Sequence, residues 1–66
     1  MSRRAGTVAS FDEARGLGTI TSSEGEELLF HCVEITDGTR AIDVGVPVSF
    51  DTSLRLGRLE AVRVTP

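Results

Sequence analysis

Arg15-Gly16-Leu17-Gly18-Thr19-Ile20-Thr21-Ser22-Ser23-Glu24-Gly25-Glu26-Glu27-Leu28-Leu29-Phe30-His31-Cys32 contains a complete hairpin. Leu17 to Ser22 is a short run rich in β-branched and apolar residues, the composition of a strand. Ser23-Glu24-Gly25-Glu26 closes it with polar turn residues, and Gly25 is free to take φ > 0. Glu27 to His31 is the return strand. With Leu28 and Phe30 facing inward, the two-residue period of a strand turns Leu29 and His31 to the other face. The hairpin therefore has one face for a core and one for something else.

Working outward, the same punctuation recurs. Ala5 to Asp12 predicts a first strand with Val8 inward, joined to the hairpin by the turn Glu13-Ala14-Arg15-Gly16. Beyond it, Val33 and Ile35 predict one short helical turn that plugs a barrel. Thr36-Asp37-Gly38 reads as a turn, and Arg40 to Gly45 as a loop with buried anchors at Ile42 and Val44. Val46 to Leu54 predicts a fourth strand with Val46, Val48 and Phe50 inward. Pro47 stands near its start, where a missing amide donor is tolerated. A tight turn around Gly57 leads to Leu59 to Thr65, with Val62 and Val64 inward. Five strands in 66 residues leave no room for crossovers. That favours an antiparallel all-β barrel, whose closure removes open edges. Residues 1–4 read as a loose N-terminal end, and 5–66 as one domain.

Composition narrows the function. Cys32 is the single cysteine, so no disulfide can staple the chain, and the lone thiol fits a reducing, cytoplasmic setting. His31 and Cys32 are the only soft metal ligands where a structural zinc needs about four, so no metal or cofactor is expected. No apolar run approaches the ~20 residues of a membrane helix, and no membrane partner is expected. The net charge is −3, and all seven basic residues are arginine. This acidic balance still permits binding of a single strand, which needs positive charge only along its groove.

The order of motifs resembles the cold-shock family. Gly6-Thr7-Val8-Ala9-Ser10-Phe11-Asp12 is similar to that family's first strand, G-T-V-K-W-F-N. Arg15-Gly16-Leu17-Gly18-Thr19-Ile20 resembles its first ribonucleoprotein motif, K-G-F-G-F-I. Glu27-Leu28-Leu29-Phe30-His31-Cys32 resembles the second, D-V-F-V-H-F, and Ala61-Val62-Arg63-Val64-Thr65 the closing A-A-N-V-T. The likeness runs in order over residues 5–65. It implies a five-stranded antiparallel OB-fold barrel of the cold-shock type. It further implies a solvent-facing sheet of strands 1 to 3 on which single-stranded RNA or DNA stacks.

The resemblance assigns the contact face to Phe11, Leu17, Thr19, Leu29 and His31, with Arg15 in the place of a rim lysine. Arg40, Arg55, Arg58 and Arg63 are further candidates for phosphate. The sequence departs from the family on the platform itself. The Lys-Trp pair is Ala9-Ser10, the aromatics of the first motif are Leu17 and Thr19, and those flanking the histidine are Leu29 and Cys32. Each lost stacking partner is worth about 1–3 kcal/mol, so three or four together remove roughly 10³-fold in affinity or more. The expectation is weak, sequence-tolerant binding of the nucleic-acid-chaperone type.

Other readings are weighed against this one. Phe11 either stacks a base or closes the barrel end, while Phe30 and Phe50 fall on the inward phase and belong to the core. Gly16 and Gly18 serve the turn and relieve crowding. They form no dinucleotide fingerprint, lacking a third glycine and a following helix. Consecutive His31 and Cys32 point to opposite faces, and no constellation supports an enzyme. Glu24, Glu26 and Glu27 read as solvated charges at a hairpin tip. The alternative function starts from Leu17 and Leu29 as an exposed apolar patch. It is a barrel that has lost nucleic-acid binding and serves as a protein-interaction or homodimerising module.

Overall fold

A computed structural model describes residues 3–38 and 41–66. Five strands, β1 (Arg4–Asp12), β2 (Leu17–Ser22), β3 (Glu27–His31), β4 (Pro47–Arg55) and β5 (Arg58–Thr65), close into a barrel in the order β1-β2-β3-β5-β4. A single 3₁₀ turn, Cys32–Glu34, follows β3. The β1–β2, β2–β3, β4–β5 and β1–β4 pairs are antiparallel. The β3–β5 seam, where Leu29 pairs with Glu60, is parallel. The barrel is therefore mixed, one seam short of the antiparallel barrel that the sequence predicts.

The hairpin forms as its alternation requires. Ile20 lies opposite Leu28 and Gly18 opposite Phe30, all on the inner face. Its turn is pinned by Ser22, whose buried hydroxyl accepts hydrogen bonds from the amides of Glu24 (3.2 Å) and Glu26 (3.1 Å). Val8, Ile20, Leu28, Phe30, Ile35, Val48, Phe50, Ala61 and Val64 fill the interior, and Phe11, Ile42 and Val46 pack against them. With so few residues, this core must supply most of the stability, since burial of apolar area is the largest favourable contribution.

Three inward assignments differ from expectation. A bulge in β5 makes Asp51 pair with Val62 and Ser49 with Thr65, one residue more on β5 than on β4. Arg63 absorbs that extra residue at φ +51. Ala61 thereby takes the core position and leaves Val62 half-buried. Val44 is 64 % exposed, not a buried anchor. The reason lies in the neighbouring backbone. The Gly45 amide donates to the Val8 carbonyl (2.8 Å) and the Val8 amide to Val46 (3.0 Å), which brings Val46, not Val44, over the core. Val33, within the helical turn, faces solvent, while Ile35, just after it, is buried as the plug.

Of the segment 1–4, Met1 and Ser2 lie outside the described residues, while Arg3 and Arg4 make defined contacts. Arg4 opens β1 opposite Phe50. Its guanidinium lies 5.8 Å from the Phe50 ring and pairs with Glu24 (2.8 Å) and Glu26. The hydrogen bond that Arg4 donates to the Glu26 carboxylate raises the Arg4 pKa above its ordinary value. Arg3 donates to the carbonyls of Arg63 (2.7 Å) and Ser49 (3.0 Å). Such exposed pairs add little stability, because solvent screens them.

Candidate nucleic-acid interface

The outward face of the β1–β2–β3 sheet follows from the register. One cross-strand row runs Ser10–Thr19–Leu29 and continues across the parallel seam to Glu60. The next runs Asp12–Leu17–His31. Four of the residues assigned from sequence, Leu17, Thr19, Leu29 and His31, therefore meet on one half-exposed face. Thr19 is fixed there by a 2.7 Å hydrogen bond between its hydroxyl and that of Ser10.

Phe11 belongs to the inner row instead. A bulge between Val8 and Ser10 shifts the phase of β1, and Phe11 pairs with Gly18, which pairs with Phe30. Its ring stacks on Phe30 at 5.9 Å and 17°, a geometry within the range of favourable offset pairs. Of its two readings, closing the barrel end is the one that matches this position. Its remaining exposed surface lines a shallow cleft with Glu13, Ile42, Asp43 and Val44.

Gly18 is what permits that stack. A Cβ at this position would lie 2.6 Å from the Ser10 carbonyl oxygen and 2.7 Å from the Phe30 ring. The glycine is explained by packing alone. A Cβ at Gly16 would meet the Cys32 sulfur at 2.8 Å, so Cys32 packs against the β1–β2 turn.

The arginines divide sharply. Arg15 is well exposed at the β1–β2 turn, 3.7 Å from Asp12. The Asp12 carboxylate also accepts from the amides of Ala14 (3.1 Å) and Arg15 (3.3 Å), which shapes that turn. Arg55 pairs with Glu34 (3.3 Å). Arg63 donates through Nε to Asp51 (2.8 Å), at the bulge. Arg40 lies outside the described residues. Arg58 alone among the described arginines has no ion-pair partner, and it lines open clefts with Leu29 on one side and Glu60 on the other.

Glu60 was not legible as a site residue. It lies on the outer phase beside Leu29 yet is only 9 % exposed. Its Oε1 is buried without a hydrogen-bond partner, and the nearest donor, His31 Nε2, stands at 3.7 Å. That separation is too long for a hydrogen bond. No local pattern marks such a residue, because only the parallel β3–β5 seam brings position 60 to position 29. Among the described residues, no group of three or more His, Cys, Asp or Glu is gathered as a metal site.

A small closed barrel with a half-apolar open sheet face, a histidine on it and arginines at its rim defines the class of OB-type nucleic-acid-binding domains. The 'Cold-shock' DNA-binding domain model matches residues 4–66, and the chain belongs to that family. Among solved structures it is similar to the Drosophila Unr cold-shock domains titled CSD456. The TM-score is 0.81 and the identity 35%, over 97% of this chain and 26% of that one. This chain thus spans about a quarter of that structure's length. No curated protein sequence matches it.

Proposed function

We propose that this domain binds single-stranded RNA or DNA on its β1–β3 face, weakly and with little overall sequence dependence. In doing so it keeps strands unpaired, as a chaperone acting without covalent chemistry, and it works in the cytoplasm. The observation that carries the reading is the convergence of Leu17, Thr19, Leu29 and His31 on one open face. Apolar and imidazole surfaces can pack against bases, which are splayed and accessible only in single strands. Leucines supply apolar contact where aromatic stacking would supply more, and this is the physical reason for weak binding. Arg15 and Arg58 stand where backbone phosphates would pass on either side.

Amide chemical-shift mapping with a short single-stranded oligonucleotide tests this reading. Shifts should concentrate at Leu17, Thr19, Leu29 and His31, and be small at Ser49, Asp51 and Arg63 around the β5 bulge. Shifts confined to the bulge, or none, would contradict it. Concentration-dependent shifts at Leu17 and Leu29 without nucleic acid would favour the homodimerising module instead.

A further inference from the structure

We infer that this domain associates with a second copy of itself, the tip of the β4–β5 hairpin of one copy seating in the cleft beside Phe11 of the other. The contact is separate from the β1–β3 face and does not depend on the nucleic-acid reading.

The tip works against the stability of its own hairpin. Leu54 pairs with Leu59 and Arg55 with Arg58, which leaves Leu56 and Gly57 as the loop. Leu54 is 70 % exposed, Leu59 40 %, and Leu56 wholly so. Leu56 also sits at φ +51, a region unfavourable to any residue with a Cβ. Arg55 and Arg58 stand directly opposite each other, and like charges so placed destabilise a strand pair. Glu34 meets Arg55 at 3.3 Å, whereas Arg58 has no ion-pair partner among the described residues. Packing of the barrel does not call for three exposed leucines and two arginines here. A counterpart that is both apolar and acidic would suit them.

The chain carries such a counterpart. Phe11, Ile42 and Val44 give the cleft its apolar lining, and Glu13 and Asp43 its charge. Neither carboxylate takes part in an ion pair among the described residues. The cleft residues 41–44 precede β4 and the tip follows it. The nine residues of β4 stand between them, roughly 25–30 Å of extended chain. A tip at the far end of a barrel strand cannot fold back into its own cleft, so the match is made between two copies. Leu56 enters the apolar cleft, and Arg58 faces Glu13 and Asp43. The net charge of −3 opposes indiscriminate self-association, so the local charges set the orientation. The contact is head-to-tail, and each pair keeps one free tip and one free cleft.

Sedimentation equilibrium under reducing conditions and without nucleic acid tests this. A contact this small is weak, with a Kd on the order of 100 μM to 1 mM, so the wild-type average mass should climb above that of the monomer between about 10 μM and 1 mM. Leu56→Asn and Asp43→Arg should each weaken association at least about tenfold, the first by removing the apolar knob and the second by setting like charges together. Glu13→Arg is a second cleft variant with the same expected loss. Thermal melts verify that each variant folds. An equimolar mixture of Leu56→Asn and Asp43→Arg should regain dimers and nothing larger, since one supplies an intact cleft and the other an intact tip. A wild type that stays monomeric at the top of the range would overturn the inference. So would association untouched by the tip and cleft variants, or a mixture that stays monomeric where the wild type associates. Association lost with Leu29→Asp but kept with Leu56→Asn would also overturn it, and would assign self-contact to the β1–β3 face.

Discussion

At the scale of single residues, the molecule is decided by close approaches. Gly18 lies between the Ser10 backbone and the buried Phe30 ring, with no space for a methyl group. Neither neighbour can yield, one being backbone and the other at 0 % exposure. Gly18→Ala should therefore destabilise the domain by about 1–3 kcal/mol, the range for overpacking a filled core. A denaturant or thermal melt reads this directly, and an unchanged midpoint would refute the packing account of Gly18. Residues were legible from sequence where a single phase governs them. Phe30, Phe50, Leu29 and His31 fall as their alternation dictates. Phe11 and Val62 do not, because each adjoins a bulge that advances the strand by one residue and exchanges its faces. Glu60 was invisible for another reason: its significance comes from a partner on a strand distant in sequence.

At the scale of elements, the β2–β3 hairpin is the most local piece of the fold and was fully legible, bounds included. Its turn chemistry and its two-residue period agree. The β4–β5 hairpin is less well specified. Arg55 pairs with Arg58, so Leu56 and Gly57 form a two-residue loop, with φ +51 and +76 respectively. Positive φ at both positions is the type I′ turn, which favours Asn-Gly. Leu56 pays the steric cost of the left-handed region, about 1–2 kcal/mol for most residues, while exposing its whole side chain. Leu56→Asn should raise the thermal midpoint by several degrees, since about 1 kcal/mol moves a domain this small by roughly 4–8 °C. A lowered midpoint would show that Leu56 packs against something its exposure does not reveal. The β5 bulge at Arg63, held by Asp51 and Glu34, has no local signal: nothing in Ala61-Val62-Arg63-Val64 marks where the extra residue falls.

At the scale of the whole molecule, the five strands and the closed barrel followed from strand count and chain length. The parallel seam did not, because strand order around a barrel is a long-range property. That seam completes the candidate face by adding Glu60 and Arg58 to a surface otherwise built from β1 to β3. The global charge of −3 opposes nucleic acid, so attraction must be local and mediated by a few arginines. Two phosphate contacts imply a modest salt response, a fall in affinity of roughly 10–30-fold for each tenfold rise in salt.

The most direct test of the central claim is a titration of a fluorescent, mixed-sequence single-stranded oligonucleotide with this protein at low and moderate salt. Binding with a Kd of about 1–100 μM at moderate salt, tightening as salt is lowered, is the predicted result. Absence of binding at the top of that range even at low salt would contradict it, and would leave the Leu17–Leu29 face as a surface for protein contact.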